Sequence, residues 1–423
     1  MLSAIGLIFT AFARARLALP VAMVCGLSGC AANIGSDAAS TASIEQPGLQ
    51  ATTAKPAETQ TKPTKIALLL PLAGFGEPAQ IARGMKQAAE LALFDANDPS
   101  IQLIVKDDGG TVEGAGRATE SAISEGLEIV LGPLFGKSVS GAAPSARKAG
   151  VPMLAFSNDP TVAGPGVYLM SFLAAEEVDR VISYAASKGK KRFAALIPAT
   201  AYGQMIEPAF RNAVRKSGGE IVAFQTYAPG TRGVLASAKQ IFSAIKDAGD
   251  AGQPVDALFV PAGQDEITQL GPLISYSGLD TQRIKLIGTS AWDVPVISRD
   301  ASLIGGWYAA TDPAAWAVFS EKFQKTFGQA PPRLATLAYD AVSIAVTLSR
   351  NPAPARFTTD NLTNPRGFSG IDGAIRLKRD GTSARGLAVL EIEKYRSVVI
   401  EPAPAFDVPS ERVSSIREAA APR

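Results

Sequence analysis

The 423-residue sequence contains no histidine at all, and its two cysteines, Cys25 and Cys30, both lie within the first thirty residues. Without imidazole there is no Ser-His-Asp or Cys-His nucleophile, no histidine general base and no histidine metal ligand, so much hydrolase and zinc chemistry is excluded. No carboxylate pair, metal cluster or activated nucleophile stands out either, so the reading is not an enzyme, and no cofactor is expected. Charge of one sign is also missing. Forty-one Lys and Arg against 39 Asp and Glu leave +2, and without a concentrated basic excess nucleic acid is not an expected partner. Aromatic residues are sparse at 7%, while 47% of the chain is hydrophobic and 19% charged. That is a globular composition with enough chain for two or three domains.

Long apolar runs are absent too. The apolar stretch Leu17-Ala18-Leu19-Pro20-Val21-Ala22-Met23-Val24 follows Arg14 and Arg16 and is too short to span a bilayer. It leads into Leu27-Ser28-Gly29-Cys30, which resembles a bacterial lipobox. Residues 1–30 are therefore expected to be a lipoprotein signal peptide, with Cys30 the lipid-modified first residue of the mature chain. The apolar Met1–Thr10 ahead of the arginines departs from that pattern and points to a start codon further downstream. Ala31 lacks the acidic character that retains such lipoproteins in the inner membrane, which favours the outer one. With Cys30 lipidated, no internal disulfide can form, so stability rests on the core. Residues 31–63 are rich in Ala, Ser, Thr, Gln and Pro and hold only Ile34, Ile44 and Leu49 as large aliphatics. They cannot offset their ordering entropy by burial and read as a disordered tether; residues 403–423 read as a mobile tail.

Between these ends the pattern is α/β. Ile66-Ala67-Leu68-Leu69-Leu70, stopped by Pro71, suits a strand buried on both faces. Ile81, Met85, Ala88, Ala89 and Ala92 then recur at helical spacing. Further strand runs stand at 101–105, 129–131, 152–156, 193–197, 221–224, 257–260 and 284–287, with helical periodicity in Met205-Ile206-Ala209-Phe210-Ala213 and Ile267-Leu270-Leu273-Ile274 between them. About ten such units exceed what one open sheet usually carries, so two doubly wound lobes with parallel central sheets are expected, and a ligand would sit outside the carboxyl ends of the strands, between the lobes. Late in the chain, Ala374–Leu377 and Leu387–Ile392, separated by Asp380-Gly381, read as a hairpin. The segment Gly132-Pro133-Leu134-Phe135-Gly136-Lys137-Ser138 mimics a P-loop, but only three residues separate its glycines and Pro133 lacks a donor. It reads as a tight turn into a helix.

The sequence resembles the type I periplasmic binding proteins of the leucine/isoleucine/valine-binding group from about Lys65 to Tyr395. The resemblance rests on Leu69-Leu70-Pro71-Leu72 with Gly84-Met85, Ile129–Leu134, Gly150–Ser157, Ala201-Tyr202-Gly203, Tyr339-Asp340-Ala341 and Phe368–Gly373, in that order and spacing. The glycine-proline-leucine form and the lipoprotein start are most similar to penicillin-binding protein activators, lipoproteins of this fold that stimulate peptidoglycan synthases. What the resemblance implies is two lobes joined by three crossovers that close on a ligand by hinge motion. Lobe one would comprise 64–172 and 309–350, and lobe two 173–308 and 351–402. Ligand contacts would come from Ser138, Ser157 and Asn158 for a carboxylate, with Tyr202 packing on the ligand and Trp292 facing the cleft. The family's acidic partner for a ligand ammonium is missing after Ile287-Gly288, where Thr289-Ser290-Ala291 stands; Asp293 is near but displaced. Two functions follow from the resemblance. One is a receptor passing a small polar ligand, an amino acid or related solute, to an ABC permease. The other is a regulator docked on a peptidoglycan synthase.

Overall fold

The computed structural model describes residues 62–404. The signal peptide, Cys30, the tether up to residue 61 and the tail from residue 405 lie outside the described residues. The first sheet is built from β1 (Thr64–Leu70), β2 (Ile101–Asp107), β3 (Ile129–Leu131), β4 (Met153–Ala155) and β5 (Val167–Leu169), all parallel in the order β2-β1-β3-β4-β5. Its connections carry α1 (Glu77–Ala96), α2 (Val112–Ser124) and α3 (Gly136–Ala149). Side chains alternate across a strand, so Ile66, Leu68 and Leu70 meet Ala82, Met85 and Ala89 of α1 on one face. Ala67 and Leu69 meet Ala115 of α2 and Val139 and Ala142 of α3 on the other. That is why the run is apolar throughout. The P-loop mimic is a turn into α3: Gly132 has φ +94°, and a Cβ there would lie 2.2 Å from the Leu69 carbonyl oxygen.

After β5 the chain crosses to α4 (Ala174–Ser187) and winds a second sheet through β6 (Arg192–Pro198), α5 (Ala201–Lys216), β7 (Glu220–Tyr227), α6 (Thr231–Asp250), β8 (Ala257–Phe259), α7 (Gln264–Ser277), β9 (Lys285–Gly288) and β10 (Trp307–Ala310). It then returns with α8 (Pro313–Phe327), α9 (Ala335–Ser349), which buries Leu337, Ala341 and Val342 in the core of the first sheet, and α10 (Thr359–Leu362). A small antiparallel sheet follows, made of β11 (Phe368–Gly370), β12 (Gly373–Leu377) and β13 (Ser383–Arg385). The chain finally crosses back to add β14 (Ala388–Glu393) and β15 (Arg396–Glu401) to the second sheet. That sheet has the order β15-β14-β10-β9-β8-β6-β7, parallel from β10 to β7 and antiparallel at β14 and β15. The architecture is thus α/β, with two lobes on mainly parallel sheets and crossings at residues 170–173, 311–312 and 386–387.

Three sequence expectations are corrected. The resemblance assigns residues 351–385 to lobe two, yet Phe357, Leu362, Phe368, Ile375 and Leu377 bury in the core of the first sheet, because the chain stays beside α9 and crosses only after β13. The expected hairpin partner of Ala374–Leu377 is also different. Around Gly381 (φ +85°) the turn closes tightly, with Lys378 N donating to Thr382 O at 2.8 Å, so residues 383–385 pair with β12 and Leu387–Ile392 goes to β10 and β15. Ala309, expected in lobe one, lies in β10 of the second sheet. Strands β5, β10, β11, β13 and β15 have no counterpart among the sequence expectations.

Candidate functional site

The site is assembled where strands end and helices begin. β6 runs into Thr200, whose hydroxyl caps α5 by accepting from Gly203 N, and this presents Tyr202 at the helix start. β9 runs into the 3₁₀ turn Ser290–Trp292, and β4 runs into Ser157 and Asn158. α4 opens directly after the first crossing and carries Glu176 and Glu177 in its first turn. Together these ends enclose a cleft of about 420 Å³ lined by Asn158, Phe172, Leu173, Tyr202, Met205 and Ser290, with Glu176 and Glu177 in its wall.

Glu177 is the unusual member. It is only 6% exposed, and its two carboxylate oxygens accept from Ser290 N at 2.9 Å and Ser290 Oγ at 2.8 Å. Burial pushes its carboxyl up to about 7, against the lowering effect of the two Ser290 hydrogen bonds. Beside it the Tyr202 hydroxyl stands 2.9 Å from Thr289 Oγ1, and burial pushes the phenol up to about 12. Glu176 is paired instead, with Lys378 from the β12–β13 turn at 2.8 Å, an ion pair between the two lobes.

Below the cleft, the crossings are tied together by charge. Asp372, fully buried, takes both arms of Arg333 at 2.9 and 2.6 Å and the Thr336 hydroxyl at 2.5 Å, while Arg333 also donates to Thr311 on the second crossing at 2.7 Å. Two guanidiniums stand over the ring of Phe172 of the first crossing, Arg333 at 5.1 Å and Arg385 at 4.8 Å from its centre. Arg385 donates to Met170 O at 2.7 Å and faces Asp340 at 3.8 Å. Burial pushes Asp340 up to about 7.

Of the residues singled out from sequence, Asn158 and Tyr202 line the cleft together. Ser157 lies beside them, its hydroxyl accepting from Asp159 N at 3.1 Å. Ser138 does not join them. It is fully buried with an unpartnered hydroxyl, because it shares the helical face of Ala142 and Ala146 that packs on the first sheet. Trp292 also departs from expectation. At 1% exposure it belongs to the core of the second sheet, folded back over Gly288 and Gly306 by the 3₁₀ turn. Asp293 accepts from the Tyr308 hydroxyl at 3.0 Å. Sequence reading missed Glu177, whose only signal was an acidic residue at a helix start. No group of three or more acidic, His or Cys side chains able to hold a metal occurs among the described residues.

Two lobes on mainly parallel sheets, three crossings and a lined cleft between the lobes define the type I periplasmic binding fold. Residues 63–396 match the family described as periplasmic binding protein, and the chain belongs to that family. An uncharacterized protein of Rickettsia prowazekii is 23% identical over 238 residues, covering 56% of this chain, and the chain spans 62% of that relative's length. Among solved structures, a Rhodospirillum rubrum protein described as a branched-chain amino acid ABC transporter superposes with a TM-score of 0.70 at 20% identity, covering 80% of this chain and 100% of that one. A Rhodopseudomonas palustris solute-binding protein of an ABC transporter, in complex with 3,4-dihydroxybenzoic acid, gives 0.56 at 21% identity, with 83% and 99% covered. LivJ of Streptococcus pneumoniae, a branched-chain amino acid transporter substrate-binding protein in complex with isoleucine, gives 0.54 at 20% identity, with 81% and 100% covered. Among the described residues no helix is long and apolar enough to cross a membrane.

Proposed function

We propose that this protein is a lipid-anchored periplasmic receptor that captures a small polar solute between its lobes for an ABC-type importer. The observation that carries the reading is the cleft of about 420 Å³, whose polar groups stand at the carboxyl ends of strands from both lobes. The amino acid and the aromatic acid held by the structural neighbours support it as examples of the ligand size the fold takes. Asn158, Ser157 and Tyr202 are the ligand contacts in this reading, and Cys30 is the lipid attachment. A thermal-shift screen of amino acids and related polar solutes tests it, because a ligand binding only the folded state raises the melting temperature. No shift with any solute sinks the receptor. Fatty-acid labelling that persists on Cys30→Ser sinks the anchor.

A second reading, a penicillin-binding protein activator-like regulator of peptidoglycan synthesis, is favoured by one other feature. A groove of about 510 Å³ between α6 and α7, with Phe242 and Leu273 in its lining and the 91% exposed Tyr276 at its edge, shares no residue with the cleft. Recovery of a peptidoglycan synthase with the parent chain, lost in Tyr276→Ala, is the outcome that reading requires.

A further inference from the structure

The cleft's electrostatics narrow the ligand class, an inference that rests on the receptor reading. Two carboxylates stand in its wall, and no lysine or arginine does so among the described residues. Glu176 already has Lys378 as its partner. Glu177 has none: its only hydrogen-bond partners are the amide and hydroxyl of Ser290. A carboxylate offers about four lone-pair sites, so about two remain open toward a ligand. A buried carboxylate without a cation is costly to keep.

The groups that share the cleft lining with Glu177 supply no competing cation. Tyr202 comes from α5 and Ser290 from the 3₁₀ turn, both as neutral hydroxyls. Arg385 of β13 lines, together with Glu177, a small neighbouring space of about 10 Å³, room for a single water, and its charge is answered by Asp340 and Asp372.

The start of α3 lies beside Asp159, next in sequence to the cleft residue Asn158. A Cβ built on Gly136, at the start of α3, would lie 3.0 Å from Asp159 Oδ2 and 3.4 Å from Ser157 Oγ. The helix start that would welcome a ligand carboxylate is therefore fronted by a carboxylate of the chain itself.

We infer that Glu177 is the anchor for a protonated amine, and that the cleft takes small organic cations with an apolar body packed on Phe172, Leu173 and Met205, whether or not they carry a carboxylate. Pairing with a cation requires the ionised carboxylate. Since burial holds this carboxyl up to about 7, affinity must rise with pH through that value.

Calorimetry on the full chain with three probes tests this: isoamylamine, leucine, and isocaproate, which is leucine without its amine. Isoamylamine and leucine should bind about tenfold more tightly at about pH 8 than at about pH 6, and isocaproate should not bind. Glu177→Gln should weaken the amine probes about tenfold or more. Should Glu177→Gln fail to fold, the pH dependence of the parent chain carries the test alone. Isocaproate binding as tightly as isoamylamine, parental affinity in Glu177→Gln, or loss in Asp293→Asn but not in Glu177→Gln overturns the inference and leaves the receptor reading standing. Binding of none of the three also overturns it, and the receptor reading then stands or falls on the separate thermal-shift screen.

Discussion

The indole of Trp292 occupies the space above Gly288, where an added Cβ would lie 2.2 Å from Trp292 Cδ2. Residue 288 therefore has to be glycine for steric reasons. Gly288→Ala should destabilise the fold by about 1–3 kcal/mol through overpacking, and Trp292→Ala by about 3–5 kcal/mol through the cavity left in the second core. Urea denaturation checks both; a Trp292→Ala variant as stable as the parent would return this residue to the cleft.

Glu177 and Asp340 are pushed up to about 7 and Asp108 to about 6, in each case by burial first. With a raised value the folded protein keeps a proton that the unfolded chain has released. Their stabilising contribution is therefore fully present below the ordinary values, 4.5 for Glu177 and 3.8 for the aspartates, and is lost as pH rises through about 6 to 7. Stability should fall by a few kcal/mol across that window, on the order of 1.4 kcal/mol per unit for each such group. Glu177→Gln should flatten the slope by its own share in denaturant melts taken across the range.

Asp372 is fully buried and its charge is met by Arg333 at 2.6 Å. Arg333→Ala removes the cation hydrogen-bonded to that carboxylate, leaving only the more distant Arg385, and frees Thr311 on the second crossing, so a loss of about 3 kcal/mol is expected. Replacing both, Arg333→Met with Asp372→Leu, should restore much of it, which a double-mutant cycle in urea measures.

Ser138 buries a hydroxyl that has no partner. Ser138→Ala should then be neutral or stabilising by about 1 kcal/mol, since an unpaired buried hydroxyl costs free energy that alanine does not. A loss of more than about 1 kcal/mol in thermal or urea unfolding would mean that the hydroxyl is bonded.

Much of the frame was legible in the chain. The apolar run Ile66–Leu70 fixed a strand covered on both faces, and the alternation of such runs with helical spacing fixed parallel sheets. The turn at Gly132 was legible from its missing donor and short spacing. The burial of Ser138 has a signal in the sequence, since it stands four and eight residues before Ala142 and Ala146, on the face that packs. Strands β5 and β10 were hidden because three or four apolar residues carry no periodicity to distinguish them from a loop.

The sequence by itself determined the α/β class, the strand-to-helix order and the exclusion of histidine chemistry, because each depends on local composition and spacing. Only the tertiary structure decided which lobe takes residues 351–385, because a chain returning beside α9 is held there by burial of Phe357 and Ile375 rather than by any local preference. It alone decided the acidic group of the cleft as well. Glu177 meets Ser290 across 113 positions of sequence, and that meeting depends on the crossing at residues 170–173 delivering the start of α4 to the end of β9. No local pattern encodes such a contact.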